Sequence, residues 1–308
     1  MNKTAWLFPG QASQKVGMGL DLYEKTDIGK TFFDIADDIM GFDLKSIIFH
    51  GPEQTLKETR FTQPSIYIVS VILGKLLMQK GLSPSTVAGH SLGEYSALSV
   101  ADSFDFETGL KLVKIRSEKM SQASKENKGI MAAIVGLQDE KITSLCKDYS
   151  GIGVVVPANF NSPGQVVISG SSEAVRSVMK TSKNSGARMA VELNVSGAFH
   201  SPLMKSAREG LAEMLNSLEI NDSKYPIFTN VYAKPITKGS EIKESLIKQL
   251  ENPVQWTKSI IEMNKTSGIN SFIEVGPGKV LQGLNKRIDR SFNSVGVESY
   301  EHLEGLNV

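Results

Sequence analysis

Gly89-His90-Ser91-Leu92-Gly93 sets a serine between two glycines in a Gly-x-Ser-x-Gly pattern. Thr86-Val87-Ala88 before it reads as a strand, and residues 92–100 after it, with Glu94, Tyr95, Ala97 and Leu98, read as a helix. A strand that turns sharply into a helix at a serine is a nucleophile elbow: the glycines avoid collisions, and the strained central residue pushes its Oγ outward. The helix start then aims backbone N–H groups at developing negative charge, with the Leu92 N–H as the natural oxyanion donor. The chemistry this predicts is nucleophilic attack by the serine hydroxyl.

A serine at its ordinary pKa needs a base. There are four histidines. His90 adjoins Ser91, so the elbow sends its side chain elsewhere; His50 reads as a loop residue beside Gly51-Pro52, and His302 lies in a polar tail. His200, in Ser196-Gly197-Ala198-Phe199-His200-Ser201-Pro202, falls where the chain leaves one predicted unit and re-enters another. A base there sits in an inter-domain cleft, and elimination favours it. A second charged group also stands out. On the helix predicted over residues 106–120, Arg116 shares an apolar face with Val113 and Met120, while Lys111, Lys114 and Glu118 face the other way. A buried charge needs a partner. Arg116 therefore either is structural, paired with a core carboxylate or with capping carbonyls, or receives the carboxylate of a substrate, for which its planar fork is suited.

Two patterns of elements position these residues. Short apolar runs ending in glycine or proline (residues 4–8, 86–88, 227–231 and 272–275), each followed by a helical pattern, predict a parallel sheet covered by helices. Between residues 129 and 195 the order is strand 130–135, helix 139–147, strand 152–157, turn 161–164, strand 165–169, helix 172–183 and strand 187–195. That βαββαβ order is a ferredoxin-like unit. The expected architecture is α/β: a large α/β-hydrolase-like domain with a parallel sheet over 1–128 and 197–308, and a small ferredoxin-like domain inserted over 129–196.

Composition narrows the rest. The 308 residues are 40% hydrophobic and 22% charged, which excludes a disordered chain, and a net charge of +1 argues against a generic nucleic-acid binder. The lone Cys146 permits neither an intramolecular disulfide nor a cysteine metal site, and points to a reducing, cytoplasmic setting. The N-terminal apolar run meets Pro9-Gly10 too early for a signal segment. The most apolar window, residues 66–78, is interrupted by Ser70, Gly74 and Lys75 and reads as a buried helix, not a membrane span.

Seven segments in one order carry a resemblance: Phe8-Pro9-Gly10-Gln11-Ala12-Ser13-Gln14, Gly89-His90-Ser91-Leu92-Gly93-Glu94, Arg116, Asn159-Phe160-Asn161-Ser162-Pro163-Gly164-Gln165, Phe199-His200-Ser201-Pro202, Asn252-Pro253-Val254-Gln255-Trp256 and Glu274-Val275-Gly276-Pro277-Gly278. Together, over essentially the whole chain, they resemble the malonyl-CoA:acyl-carrier-protein transacylases and the related acyltransferase domains of polyketide and fatty-acid synthases. The resemblance implies an acylated Ser91, a general base His200 held by a main-chain carbonyl at Gln255, and an oxyanion hole from the N–H groups of Gln11 and Leu92. It also implies that Arg116 grips the malonyl carboxylate with Gln63 beside it, and that Phe199 marks malonyl over methylmalonyl selection. Asn159 and Asn161 fall among the substrate-binding residues. The implied partners are malonyl-CoA and an acidic acyl carrier protein bearing phosphopantetheine, with no metal or resident cofactor, no nucleic acid and no membrane, in a monomer serving fatty acid synthesis. A polyketide acyltransferase would share every motif, a serine acyl hydrolase would share Ser91 and His200, and a non-catalytic scaffold should have lost them. The expected basic surface for the carrier is Lys180, Lys183 and Arg188 with Lys286, Arg287 and Arg290. The family usually has Gly-Gln-Gly-Ser-Gln near the N-terminus, where this chain has Ala12; with its neighbours intact, the loop is expected to take an ordinary conformation there.

Overall fold

The computed structural model describes residues 3–306. Its large sheet contains β1 (Thr4–Phe8), β2 (Thr86–Gly89), β7 (Ile227–Phe228), β8 (Pro235–Ile236), β9 (Ser271–Val275) and β10 (Asn293–Val297), in the order β10-β9-β1-β2-β7-β8. The first five in that order run parallel and β8 closes the edge antiparallel. β1 and β2 lie centrally and are almost wholly buried, as strands covered on both faces by helices must be. The apolar window becomes the Thr59–Gln79 helix, 89% of whose most apolar stretch is buried inside the protein, which marks it as a core helix.

The small sheet draws β3 (Gly129–Val135), β4 (Val155–Ser162), β5 (Gln165–Ser171) and β6 (Met189–Glu192) into the antiparallel order β4-β5-β3-β6, the strand order of a ferredoxin-like unit. Its faces alternate. Ala132, Ile134, Val166 and Ile168 pack under the Asp139–Lys147 and Ser172–Asn184 helices, while Met131 and Val167 join the main core.

Element bounds differ from the sequence reading where backbone chemistry intervenes. β4 starts at Val155, not at 152, because Gly153 takes φ 93° and Ile152 is left exposed. β4 also runs through Asn161 and Ser162, so the hairpin turn is only Pro163-Gly164, with Gly164 at φ 70°. β6 ends at Glu192, although the Leu193 N–H still donates to the Met131 carbonyl of β3 at 2.8 Å, and Leu193 and Val195 line a cleft. β7 stops at Phe228, where the chain turns towards the elbow. β10 was absent from the sequence pattern: its Asn-Ser-Val-Gly-Val run is half exposed and weakly apolar, and pairing with β9 across the Val280–Ile288 helix makes it a strand. Glu274 at the end of β9 receives the Leu281 and Gln282 N–H groups and so fixes that helix's N-terminus.

Candidate active site

Phe8 lies opposite Gly89 across the β1–β2 ladder. Gln11 and Leu92, each three residues further on, therefore leave the sheet at the same level, at the carboxyl ends of its strands. Glycines make the approach close. A Cβ on Gly10 would strike the His90 carbonyl, one on Gly93 the Phe8 carbonyl, and one on Gly89 the main chain of Gly93. Between them Ser91 sits at φ 52°, a left-handed conformation that costs a non-glycine residue about 1–3 kcal/mol. Its N–H is held by Asn230 Oδ1 at 2.7 Å, and Asn230 Nδ2 donates to the Gly89 carbonyl at 2.6 Å.

His200, itself at φ 56°, places Nε2 2.9 Å from Ser91 Oγ. Its Nδ1 faces two main-chain carbonyls, Gln249 at 2.9 Å and Asn252 at 3.1 Å. Carbonyls only accept, so the proton sits on Nδ1 and the Nε2 lone pair is free for the Ser91 hydroxyl. Burial, and then the Arg116 charge, push the imidazole down to about 3, so it is neutral in the resting site.

The expected carbonyl at Gln255 is therefore a correction. Gln255 caps the Trp256–Ser267 helix, and its carbonyl already accepts the Ser259 N–H. Gln249 ends the Gly239–Gln249 helix, and the residue four positions on, which would supply a helical N–H, is Pro253. Only a long 3.4 Å bond from Asn252 reaches the Gln249 carbonyl, so it is available to His200. That proline was the signal in the sequence.

Arg116 is fully buried on the Phe106–Glu126 helix. Nη1 donates to Gln63 Oε1 at 2.6 Å; Nη2 donates to Ser91 Oγ and to Gln249 Oε1, both at 3.0 Å. Its Nε has no partner, and among the described residues no carboxylate comes within ion-pair distance of the guanidinium. Every side chain hydrogen-bonded to it is neutral. Arg116 thus makes no direct ion pair with a core carboxylate; the buried Glu94 acts on it only across the Gln249 amide.

Nine of the ten singled-out residues line one cleft of about 230 Å³: Gln11, Gln63, Ser91, Leu92, Arg116, Asn159, Asn161, Phe199 and His200. Gln255 does not. Met120, Met131, Val167, Leu193 and Val195 form its apolar wall, and Met131, Val167, Asn159 and Asn161 come from the small sheet. Asn161 Oδ1 meets His90 Nε2 at 2.8 Å, so His90 is a strut between the elbow and β4, packed on Trp256. Asn159 lies where β4 bridges to Val254. His50 and His302 are exposed, far from this chemistry. Ala12 takes φ 83°, against the expected ordinary conformation; its N–H donates to Gln14 Oε1 at 2.8 Å, and Gln11 still lines the cleft beside it. The loop keeps the glycine-type conformation and absorbs the strain of a Cβ. The residues the sequence did not single out are Gln249 and Asn230, whose roles depend on long-range hydrogen bonds that no local spacing reveals.

The acyl transferase domain family matches residues 5–301. A malonyl CoA-acyl carrier protein transacylase from Bacillus subtilis is 41% identical over 305 residues, covering 99% of this chain and 96% of its own. The chain belongs to this transacylase family. Among solved structures, an acyl carrier protein S-malonyltransferase from Vibrio cholerae superposes with a TM-score of 0.94 at 42% identity, covering 99% of this chain and 100% of that one. A malonyl-transacylase solved in complex with a type II polyketide synthase acyl-carrier protein gives 0.93 at 40% identity, covering 98% of each chain. The transacylase fold therefore extends over both sheets.

Proposed function

We infer that this protein moves a malonyl group from malonyl-CoA to the phosphopantetheine thiol of an acyl carrier protein, supplying fatty acid synthesis. Family membership supports the reaction. The observation that carries the chemistry is a buried guanidinium, hydrogen-bonded only to neutral side chains, 3.0 Å from the hydroxyl of a strained elbow serine.

His200 Nε2 takes the Ser91 proton as Oγ attacks the thioester carbon. The negative charge on the carbonyl oxygen is met by the Gln11 and Leu92 N–H groups. One such donor is worth about 10²–10³ in rate in other acyl-transfer enzymes. The imidazolium returns its proton to the departing coenzyme A sulfur, leaving a malonyl ester on Ser91. The carrier thiol then loses its proton to His200, attacks the ester, and Ser91 Oγ recovers the proton on release. Arg116 holds the malonyl carboxylate throughout, with Gln63 and Gln249 fixing the plane of its fork, and Phe199 lines the cleft beside His200. Proton transfer needs only Ser91 and His200; coenzyme A is substrate, and no resident cofactor enters these steps.

Arg188, Lys286, Arg287 and Arg290 line a groove between the β4–β5 hairpin and the Val280–Ile288 helix. Gln165 borders both this groove and the cleft, so an acidic carrier lying there would have its thiol arm at the cleft mouth. Lys180 and Lys183 are outside it, on the Ser172–Asn184 helix. We place the domain division at 129–196 within 1–128 and 197–308, because the small sheet and its two helices have a core of their own. Mixing the protein with malonyl-CoA alone tests the reading. One equivalent of coenzyme A released in a burst, followed by malonyl-carrier formation when holo carrier is added, is expected; continuous release to water without a carrier contradicts it.

A further inference from the structure

Glu94 lies three residues beyond Ser91, in the first turn of the Gly93–Val100 helix, and is fully buried. It touches neither the cleft nor Arg116 by a direct hydrogen bond. Its Oε2 receives two donors: the Asn230 N–H at 3.0 Å and Gln249 Nε2 at 2.9 Å. Asn230 holds the Ser91 N–H and the Gly89 carbonyl. Gln249 Nε2 also donates to the Ser91 carbonyl at 3.0 Å, while its Oε1 accepts from Arg116. The main chain on both sides of the nucleophile is thus held by two residues that meet on one carboxylate oxygen.

The Gln249 amide has a sense, and that sense matters. Its nitrogen faces the Ser91 carbonyl and the Glu94 carboxylate, both acceptors; its oxygen faces a guanidinium, which only donates. If the Glu94 acceptor were lost, one of the two bonds that keep the nitrogen on that side would vanish. A reversed amide would set N–H against the guanidinium and turn the fork away from the reacting centre. We propose that Glu94 is a positioning residue for malonyl selectivity: its Oε2, acting through the Gln249 amide, aims the Arg116 fork at the substrate carboxylate, and through Asn230 it holds the elbow in register.

One oxygen does this work. Oε1 has no hydrogen-bond partner, so the second oxygen is dispensable to the relay. Burial pushes the carboxyl up to about 7, against the pull of Gln249, Asn230 and Arg116, and Oε2 is an acceptor in either protonation state. The relay therefore needs an acceptor at this place, not a charge. A glutamine can supply that acceptor with nearly the same shape, whereas a methionine fills the space without it.

This inference rests on the reading of Arg116 as the malonyl clamp, and the experiment separates the two. The ratio of kcat/KM for malonyl-CoA to that for acetyl-CoA is measured for wild type, Glu94→Met, Glu94→Gln and Arg116→Ala, with thermal melting as a folding check. Glu94→Met is expected to lower the ratio about tenfold or more, and Glu94→Gln to hold it within about threefold of wild type. Equal losses on both substrates, an unchanged ratio in Glu94→Met, or a glutamine variant as poor as the methionine overturns the relay. Should Glu94→Met fail to fold, the ratio is read on Glu94→Asp, whose shorter carboxyl withdraws from Gln249; a fall supports the relay and an unchanged ratio overturns it. A ratio that falls in Arg116→Ala but not in Glu94→Met removes this inference alone, while an unchanged ratio in Arg116→Ala removes the clamp with it.

Discussion

Arg116→Ala separates a substrate clamp from a structural cation. In the wild type the guanidinium is already desolvated and held by Gln63, Gln249 and Ser91, so binding a carboxylate requires little further ordering. A forked contact adds two charge-assisted hydrogen bonds, each worth about 1.5–3 kcal/mol. The loss on malonyl transfer is then about 3–6 kcal/mol, or ~10²–10⁴ in kcat/KM. An acetyl group has no carboxylate to lose, and its transfer should change by less than about tenfold. The substitution also leaves the Gln63 and Gln249 side-chain oxygens without their buried donor, which costs about 1–3 kcal/mol each and shows as a lower melting temperature. Stability and selectivity thus report different consequences of one change. The assay is coenzyme A release and carrier acylation with malonyl-CoA and acetyl-CoA in parallel. Malonyl and acetyl activities falling together would refute the clamp.

Three further outcomes follow from other parts of the structure. His200 is held neutral in the fold, with its pKa pushed down to about 3 from 6.5, so the unfolded chain binds a proton that the folded chain refuses as pH falls through 6.5. Wild type should lose about 2 kcal/mol more than His200→Gln between pH 7.5 and 5, read by urea unfolding, and parallel stability curves would contradict this. Ala12→Gly relieves the Cβ strain at φ 83° and should stabilise the protein by about 1 kcal/mol with unchanged turnover; a lower unfolding midpoint would show that the strain is absent. Lys286→Glu with Arg290→Glu should raise KM for the carrier about tenfold at low salt, with the gap shrinking at about 0.5 M salt and the coenzyme A burst unaltered; a salt-independent KM would exclude the groove as the docking surface.

The elbow, Arg116 and the two-sheet organisation were legible in the sequence because each rests on local rules. Gly-x-Ser-x-Gly between strand and helix patterns fixes a turn, and helical periodicity puts Arg116 on the buried face whatever it meets there. The βαββαβ alternation gave the small sheet, though not its ends, which depend on Gly153, on Pro163-Gly164 and on Leu193 and Val195, which line the cleft. Motif position points to Gln255 for the carbonyl that holds His200, whereas His200 Nδ1 meets the Gln249 and Asn252 carbonyls instead. Gln249 lies only six residues before Gln255, yet its role depends on a proline four positions on and on groups over 130 residues away. The same holds for Asn230 and Glu94. Hydrogen bonds between distant segments leave no periodicity to read. Ala12 shows the opposite limit: a residue type that disfavours φ > 0 is overruled by the loop that contains it.

The central claim is that Ser91 carries the malonyl group between the two thiols. Peptide mapping by mass spectrometry, after brief mixing with malonyl-CoA and acid quenching, tests it most directly. One malonyl ester on the peptide containing Ser91, absent from Ser91→Ala, is the predicted result. No adduct, or an adduct on any other residue, would contradict it.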